Sequence, residues 1–322
     1  MVDEGVSSPA NVRQLVADDV VPFGFAVRRT SPDATALWHS VTPLDDDRFA
    51  LAVGYCPDTA RLPALRARIV SALRAGGDPA AALSGMRPED GGAACAVIDR
   101  AAAALSYSAL GDAVVVLAAP DQPGRMLRPA TTGRVDIPAG ATVALRAGVA
   151  RDLDGYLADS ACAAAHPDVA VGRLVDHLAP HAEPGLVVLL YRQAPSPLEV
   201  TLPADPRSLA QLRARLRPWL ALAGVDAEPA ADVLLAIGEA ASNSTEHAVI
   251  GAARPVELTV RTALAGDRLR MTVTDNGTWK PAAACPGHRG HGIKLITALV
   301  DSSDLTTSEN GTTVDMLKEL RR

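Results

Sequence analysis

The sequence predicts two consecutive α+β domains, each a sheet layered with a few helices. Three observations carry this. Residues 22–193 form a series of strand-like runs that bracket a few helical patterns, without a regular strand–helix alternation. The segment Gln193–Ser208, QAPSPLEVTLPADPRS, then brings four prolines and changes the character of the chain. Beyond it the order is strand, two helices, two strands, a glycine-rich loop, a helix and two last strands. At 322 residues the chain has room for two cores. The expected division is a tail over 1–20, a first domain over 21–195 and a second over 196–322.

Each element follows from a local pattern. FGFAVRR, ATALWHSVTPL and RFALAVGYC are apolar or alternating runs, and Asp45–Asp47 suits a hairpin turn between the last two. LPALRARIVSALRAGG repeats apolar residues at Leu62, Leu65, Ile69 and Leu73 and stops at Gly76 and Gly77, which predicts a helix. AACAVID, ALSYSAL, AVVVLAAP and ATVALRAG read as strands, two Ala-rich helical patterns lie between Asp152 and Leu178, and GLVVLLYR is a closing strand. In the second domain a strand over Leu198–Leu202 precedes helices over Arg207–Leu222 and Ala230–Val249. VELTVRTAL and LRMTVTDNG pair around AGD, IKLITALV is helical, and SDLTTS and TTVDMLKEL close around ENG.

Composition narrows the function classes. A net charge of -6 argues against a phosphate-binding surface along the chain, so proteins or small molecules are the expected partners and direct nucleic-acid binding is not. Cys56, Cys95, Cys162 and Cys285 are far apart and form no metal-ligand spacing, which suits free thiols in a reducing cytosol. MVDEGVSSPANVRQ has no apolar signal region, and no apolar run approaches the roughly 20 residues that span a bilayer, so a cytoplasmic location away from membranes is expected.

The chemistry-bearing residues concentrate in the second domain. IGEAASNSTEHAV places Glu239, Asn243 and His247 four residues apart, which on an α-helix stacks a carboxylate, a carboxamide and an imidazole on one face. LRMTVTDNGT ends a strand with Asp275, Asn276 and Gly277, and PGHRGHGIKLI puts Gly290 and Gly292 at the entrance to a helix. These parts suit a nucleotide. A carboxylate only accepts hydrogen bonds, so Asp275 matches the exocyclic amine of adenine. Gly277 lacks a Cβ and lets the chain pass close to a base. A helix N-terminus with free amides favours phosphate oxygens.

In order, ExxxNxxxH on a helix, DxG ending a strand, GxG opening a helix and GTT on a last strand, this set resembles the GHKL (Bergerat-fold) ATP-binding domain and, within it, the anti-sigma-factor serine kinases. EAASNSTEHAV looks like the N-box, TDNG and RGHGIKLI like the two glycine boxes, and NGTTV like the closing strand, over roughly residues 197–320. The resemblance implies an α/β sandwich that binds ATP and Mg2+. It implies Mg2+ on the side-chain oxygen of Asn243, and Glu239 as the base that deprotonates a substrate Ser or Thr. It assigns Asn243, Asp275, Gly277, Arg289, Gly290, Gly292, Thr312 and Thr313 to the nucleotide, with His247 either a ligand contact or a packing residue. Lys294 has two readings, a solvated helix face or a phosphate contact; His291 is a second cation in the loop, and Trp279 packs on the loop or covers the base. VDHLAPH, around His177 and His181, is a poor match for a phosphoacceptor helix.

HSVTPLDDDRFALAVGYCPDTARLPALRARIVSALR, ACAVIDRAAAALSYSALGDAVVVL and PAGATVALRAGV resemble the PPM-type serine/threonine phosphatases of the stage II sporulation protein E family, which implies an αββα sandwich for the first domain. Such enzymes bridge two hard cations with carboxylates. At the matching positions this chain has Ser40, Tyr55, Ala147 and the pair Glu183 and Pro184. Asp45–Asp47 and Asp58 are expected in turns and caps. The expectation is therefore a kinase with a catalytically inactive phosphatase-like regulatory module. Its implied partners are a sigma factor and an anti-anti-sigma (STAS-type) protein, with a homodimer through the second domain also compatible. The alternatives are a non-catalytic, nucleotide-switched binding protein and a phosphatase with atypical metal ligands.

Overall fold

The computed structural model describes residues 25–29, 36–119, 122, 124–127, 133–148, 171, 185–248, 254–265, 267–277, 291–308 and 311–320. The chain divides into two compact units, residues 1–193 and 194–322. Both mix sheet and helix, so the α+β class expected from the sequence holds.

The first unit contains β1 (Phe25–Arg29), β2 (Leu37–Pro43), β3 (Arg48–Tyr55), α1 (Leu62–Gly76), α2 (Pro79–Leu83), β4 (Gly92–Asp99), β5 (Ala104–Leu110) and β6 (Val114–Ala118). It continues with β7 (Arg125–Leu127), β8 (Gly133–Asp136), β9 (Thr142–Gly148) and β10 (Leu186–Arg192). Two five-stranded sheets result, ordered β2-β3-β4-β5-β8 and β1-β10-β9-β6-β7. The period of two decides which side chain goes where. Phe49, Leu51 and Val53 of β3 and Ile98 of β4 share one core with Val143 and Leu145 of β9 and with Leu189 and Tyr191 of β10, so the sheets pack face to face. The intervening Ala50, Ala52, Cys95 and Val97 point away and meet Ile69, Leu73 and Leu83 of the two helices. One helical layer and two sheets, the order α-β-β, are thus described; the Ala-rich patterns between Asp152 and Leu178 fall outside the described residues except for Val171, which is helical.

Local chemistry fixes the ends of these elements. Gly77 adopts φ 62°, the left-handed region, and its N–H bonds to the Leu73 carbonyl, which stops α1 where the sequence predicts. The short helix α2 is not anticipated from periodicity, but its signal is present: the Asp78 side chain accepts from the Ala80 N–H, and Pro79 occupies the first helical position. Asp45 accepts from the backbone N–H groups of Asp47 and Arg48, and the hydrogen bond from the Arg48 side chain holds its carboxyl below the usual range. Asp58 accepts from the Ala60 N–H, so these acids serve turns.

The second unit contains β11 (Leu198–Pro203), α3 (Ser208–Leu222), α4 (Ala227–Asn243), a π turn (Ser244–Ala248), β12 (Glu257–Ala265), β13 (Arg268–Asp275), α5 (His291–Leu299), β14 (Ser302–Ser308) and β15 (Gly311–Glu319). The sheet is ordered β11-β12-β13-β15-β14 with every neighbour antiparallel. Its register sets Val200, Val260, Val273, Val314 and Leu305 in one row across the five strands. The next row, on the opposite face, is Thr201, Thr259, Thr274, Thr313 and Thr306. Val200, Val260 and Val273 are buried, and α3, α4 and α5 pack on β11, β13 and β14 respectively.

Candidate functional site

Helix α4 buries Val233, Ala236, Ile237, Ala240 and Ala241 and leaves Glu239, Ser242 and Asn243 half-buried. The α-helical period therefore sets Glu239 and Asn243 one turn apart on the partly open side, away from the apolar stripe. Gly292, at the start of α5, has no Cβ, and one built there would overlap Oε1 of Glu239. The Glu239 carboxylate thus lies against the first turn of α5. At the far ends of the same two helices, Lys318 Nζ donates to Asp232 Oδ2 (2.9 Å) and to the Leu299 carbonyl (2.7 Å). Helix α5 consequently runs back along α4, with an ammonium at its C-terminal carbonyls where the helix dipole favours a cation.

The helix changes character directly after Asn243. Residues Ser244–Ala248 form a π turn, with i to i+5 spacing. His247 falls within this turn, where the spacing is no longer that of an α-helix. Ser244, still in helical conformation one turn after Ala240, reaches Asp275, the last residue of β13. Ser244 Oγ donates to Asp275 Oδ2 at 2.8 Å, and the Gly277 N–H donates to Oδ1 at 3.0 Å. Both residues are buried, Asp275 at 4% exposure and Ser244 at 7%. Gly277 is confined for a reason the sequence does not reveal, since a Cβ there would overlap the Cβ and carbonyl oxygen of Ala248.

The remaining expected site residues divide by strand register. Thr312 is paired with Asp275, buried, and on the same face of the sheet. Thr313 is one residue on and turns to the opposite face, where its hydroxyl meets that of Thr274 at 3.3 Å, so it is not gathered with the others. Lys294 is exposed on α5. Arg289, Gly290 and Trp279 lie outside the described residues, as do His177 and His181. Ser244 is a residue that motif spacing misses: its neighbour Asn243 carries the pattern, whereas Ser244, one turn after Ala240, continues the buried stripe of α4 and meets Asp275 from there.

In the first unit the positions singled out against a two-cation site do not converge. Tyr55 packs against the inter-sheet core, whereas Ser40, two residues from Trp38, shares its helix-facing side and bonds to the Thr42 hydroxyl at 3.1 Å. The residue paired with Tyr55 is Leu37, buried in the same core. Ala147 is also buried there, paired with Val187. Glu183 and Pro184 lie outside the described residues.

Comparison with known proteins bears on both units. Residues 202–318 match the family model of the histidine kinase-like ATPase domain. Among solved structures, the RsbU and RsbW domains of a Mycobacterium tuberculosis protein are 23% identical, cover 94% of this chain and 96% of that one, and superpose with a TM-score of 0.49. The SpoIIE phosphatase domain of Bacillus subtilis, with a fragment of its regulatory domain, is 10% identical over 53% of this chain and 61% of its own, with a TM-score of 0.44. A blue-light activated histidine kinase from Erythrobacter litoralis is 22% identical over 37% of this chain and 62% of its own, with a TM-score of 0.27. No helix among the described residues is long and apolar enough to cross a membrane. The buried carboxylate at the end of β13 and the glycine against Glu239 both lie within residues 202–318, the stretch of the second unit that is similar to the histidine kinase-like ATPase domain.

Proposed function

We propose that the second domain, residues 196–322, is an ATP-dependent protein serine/threonine kinase of the anti-sigma-factor type. The observation that carries this reading is the meeting of Glu239 with Gly292: a carboxylate one turn before Asn243 lies beside the helix start that the resemblance assigns to phosphate. The donor set fits nucleotide and metal. Asp275 is a buried acceptor for the adenine amine, Gly292 lets the Glu239 carboxylate approach the start of α5, and Asn243 presents a neutral oxygen of the kind Mg2+ takes. Mg2+ held by Asn243 would supply charge neutralisation to the phosphate groups. The resemblance assigns Arg289 and Gly290 to the nucleotide as well, and Thr312 stands beside Asp275.

In the proposed transfer, the oxygen of a substrate Ser or Thr forms a bond to the γ-phosphorus of ATP. The bond from that phosphorus to the β-bridging oxygen breaks, and ADP leaves. Glu239 takes the hydroxyl proton, and alignment of the two oxygens supplies much of the acceleration. The phosphoacceptor is an anti-anti-sigma protein of STAS type, and the same domain binds a sigma factor in a cytoplasmic partner switch. The first domain, residues 21–195, serves as a phosphatase-like regulatory module without phosphatase activity; Leu37, Tyr55 and Ala147 in its apolar core support this.

Incubation of the full chain with labelled ATP and candidate STAS proteins tests the reading. Label on a Ser or Thr of the STAS protein, lost with Glu239→Ala while ATP still binds, is the expected result. ATP binding with no transfer to any such protein by the unaltered chain would overturn it in favour of a nucleotide-switched binding protein. Manganese-dependent release of phosphate from a phosphoserine peptide would overturn the assignment of the first domain.

A further inference from the structure

We infer that Ser244 is a positioning residue for base selection, acting through Asp275; this rests on the proposed ATP site. The hydroxyl of Ser244 has one proton and two acceptors within reach, Asp275 Oδ2 at 2.8 Å and the Ala240 carbonyl at 3.4 Å. The shorter contact is to a carboxylate, and hydrogen bonds to charged acceptors are the stronger kind. Its proton therefore goes to Asp275. The Gly277 N–H holds the other carboxylate oxygen, so the plane of the group is fixed from two sides at a buried position.

Each carboxylate oxygen accepts up to two hydrogen bonds. Among the described residues each oxygen of Asp275 receives one from Ser244 or Gly277, which leaves capacity for a ligand donor. A fixed, acceptor-only group suits the 6-amino group of adenine and opposes the 6-oxo group of guanine, which also accepts. Without the Ser244 hydroxyl the carboxylate is held from one side only, and rotation about its terminal torsion is broad. The backbone adds to this confinement, because a Cβ on Gly311 would overlap the Asp275 carbonyl oxygen. Asp275 is thus fixed along its main chain by the sheet and at its carboxylate by Ser244 and Gly277.

Calorimetric titration of the full chain with Mg2+ and either ATP or purine riboside 5′-triphosphate, which has hydrogen in place of the 6-amino group, tests this. In the unaltered protein ATP is expected to bind about tenfold or more tightly than the analogue, the worth of one hydrogen bond to a charged group. Ser244→Ala should weaken ATP by about tenfold while changing the analogue less than about twofold, collapsing the ratio, and Ser244→Thr, which keeps a donor, should restore most of it. Equal loss for both ligands in Ser244→Ala, or no loss for either, would overturn the role of Ser244. Equal binding of ATP and the analogue by the unaltered chain would instead overturn the reading of adenine by Asp275. Should Ser244→Ala fail to fold, loss of discrimination in Ser244→Thr decides against the inference.

Discussion

Replacing Asp275 by asparagine separates what this side chain does for folding from what it does for a ligand. The carboxylate, 4% exposed, accepts from Ser244 on Oδ2 and from the Gly277 N–H on Oδ1. Asparagine keeps one acceptor oxygen and turns the other into an NH2 donor. The Gly277 N–H cannot reverse its role, so the amide oxygen must face it, and the NH2 then faces Ser244. A hydroxyl can rotate and accept, so both contacts survive in weaker, neutral form. The stability loss should be about 1 kcal/mol, the difference between charge-assisted and neutral bonds, which lowers the melting temperature by roughly 2–4 °C. The ligand suffers more. With NH2 at the Ser244 side, the adenine amine meets a donor where it had an acceptor, and loss of a charged hydrogen bond, ~1.5–3 kcal/mol, weakens ATP by roughly 10- to 150-fold. Thermal unfolding without nucleotide and calorimetric titration with ATP and Mg2+ measure the two effects. Unchanged ATP affinity in Asp275→Asn, or a fall in stability above about 3 kcal/mol, would refute the reasoning.

Four further outcomes follow from the geometry. Glu239→Gln should lower phosphate transfer by roughly 10²- to 10⁴-fold in single-turnover kinetics while ATP affinity stays within about threefold, because the isostere still fits beside Gly292 but takes no proton. Gly311→Ala should destabilise the second unit by about 2–4 kcal/mol in denaturant unfolding, since its φ of 135° excludes a side chain and the new Cβ would strike the Asp275 carbonyl. Lys318→Met removes a half-buried cation from Asp232 and the end of α5, and should cost about 1–2 kcal/mol by the same measurement. Cys95 is fully buried and burial pushes its thiol far above the usual range, so a maleimide reagent should label it only after denaturation; labelling in the native protein at neutral pH contradicts the packing around it.

Period-two alternation made most strands legible, because a β-sandwich needs one side chain in and the next out, and Phe49, Leu51 and Val53 obey this against Ala50 and Ala52. Strands β7 and β8 have three and four residues, too few to display an alternation that separates them from loops. The proximity of Glu239 and Asn243 is legible because α4 is regular up to that point. The contact of Ser244 with Asp275 is not, because the motif residues mark the half-buried side of α4 and Ser244 sits on its buried stripe, opposite a strand end that spacing along the chain does not locate. Thr313 shows the converse limit. Adjacent residues of a strand face opposite ways, so a motif such as NGTTV contributes only alternate members to one side.

The rows of valines and threonines across the second sheet also have a meaning for error. If β13 shifted by a single residue against β15, Thr274 or Asn276 would take the place opposite Thr312 that Asp275 holds, and the protein would have a sheet but no adenine acceptor. The same shift would drive Thr274, or the strand-end polar residues, toward the helices and turn valines into water. Misalignment fatal to ligand recognition is thereby also expensive to folding, so correct alignment of the nucleotide site is inspected by the hydrophobic core before any ligand arrives.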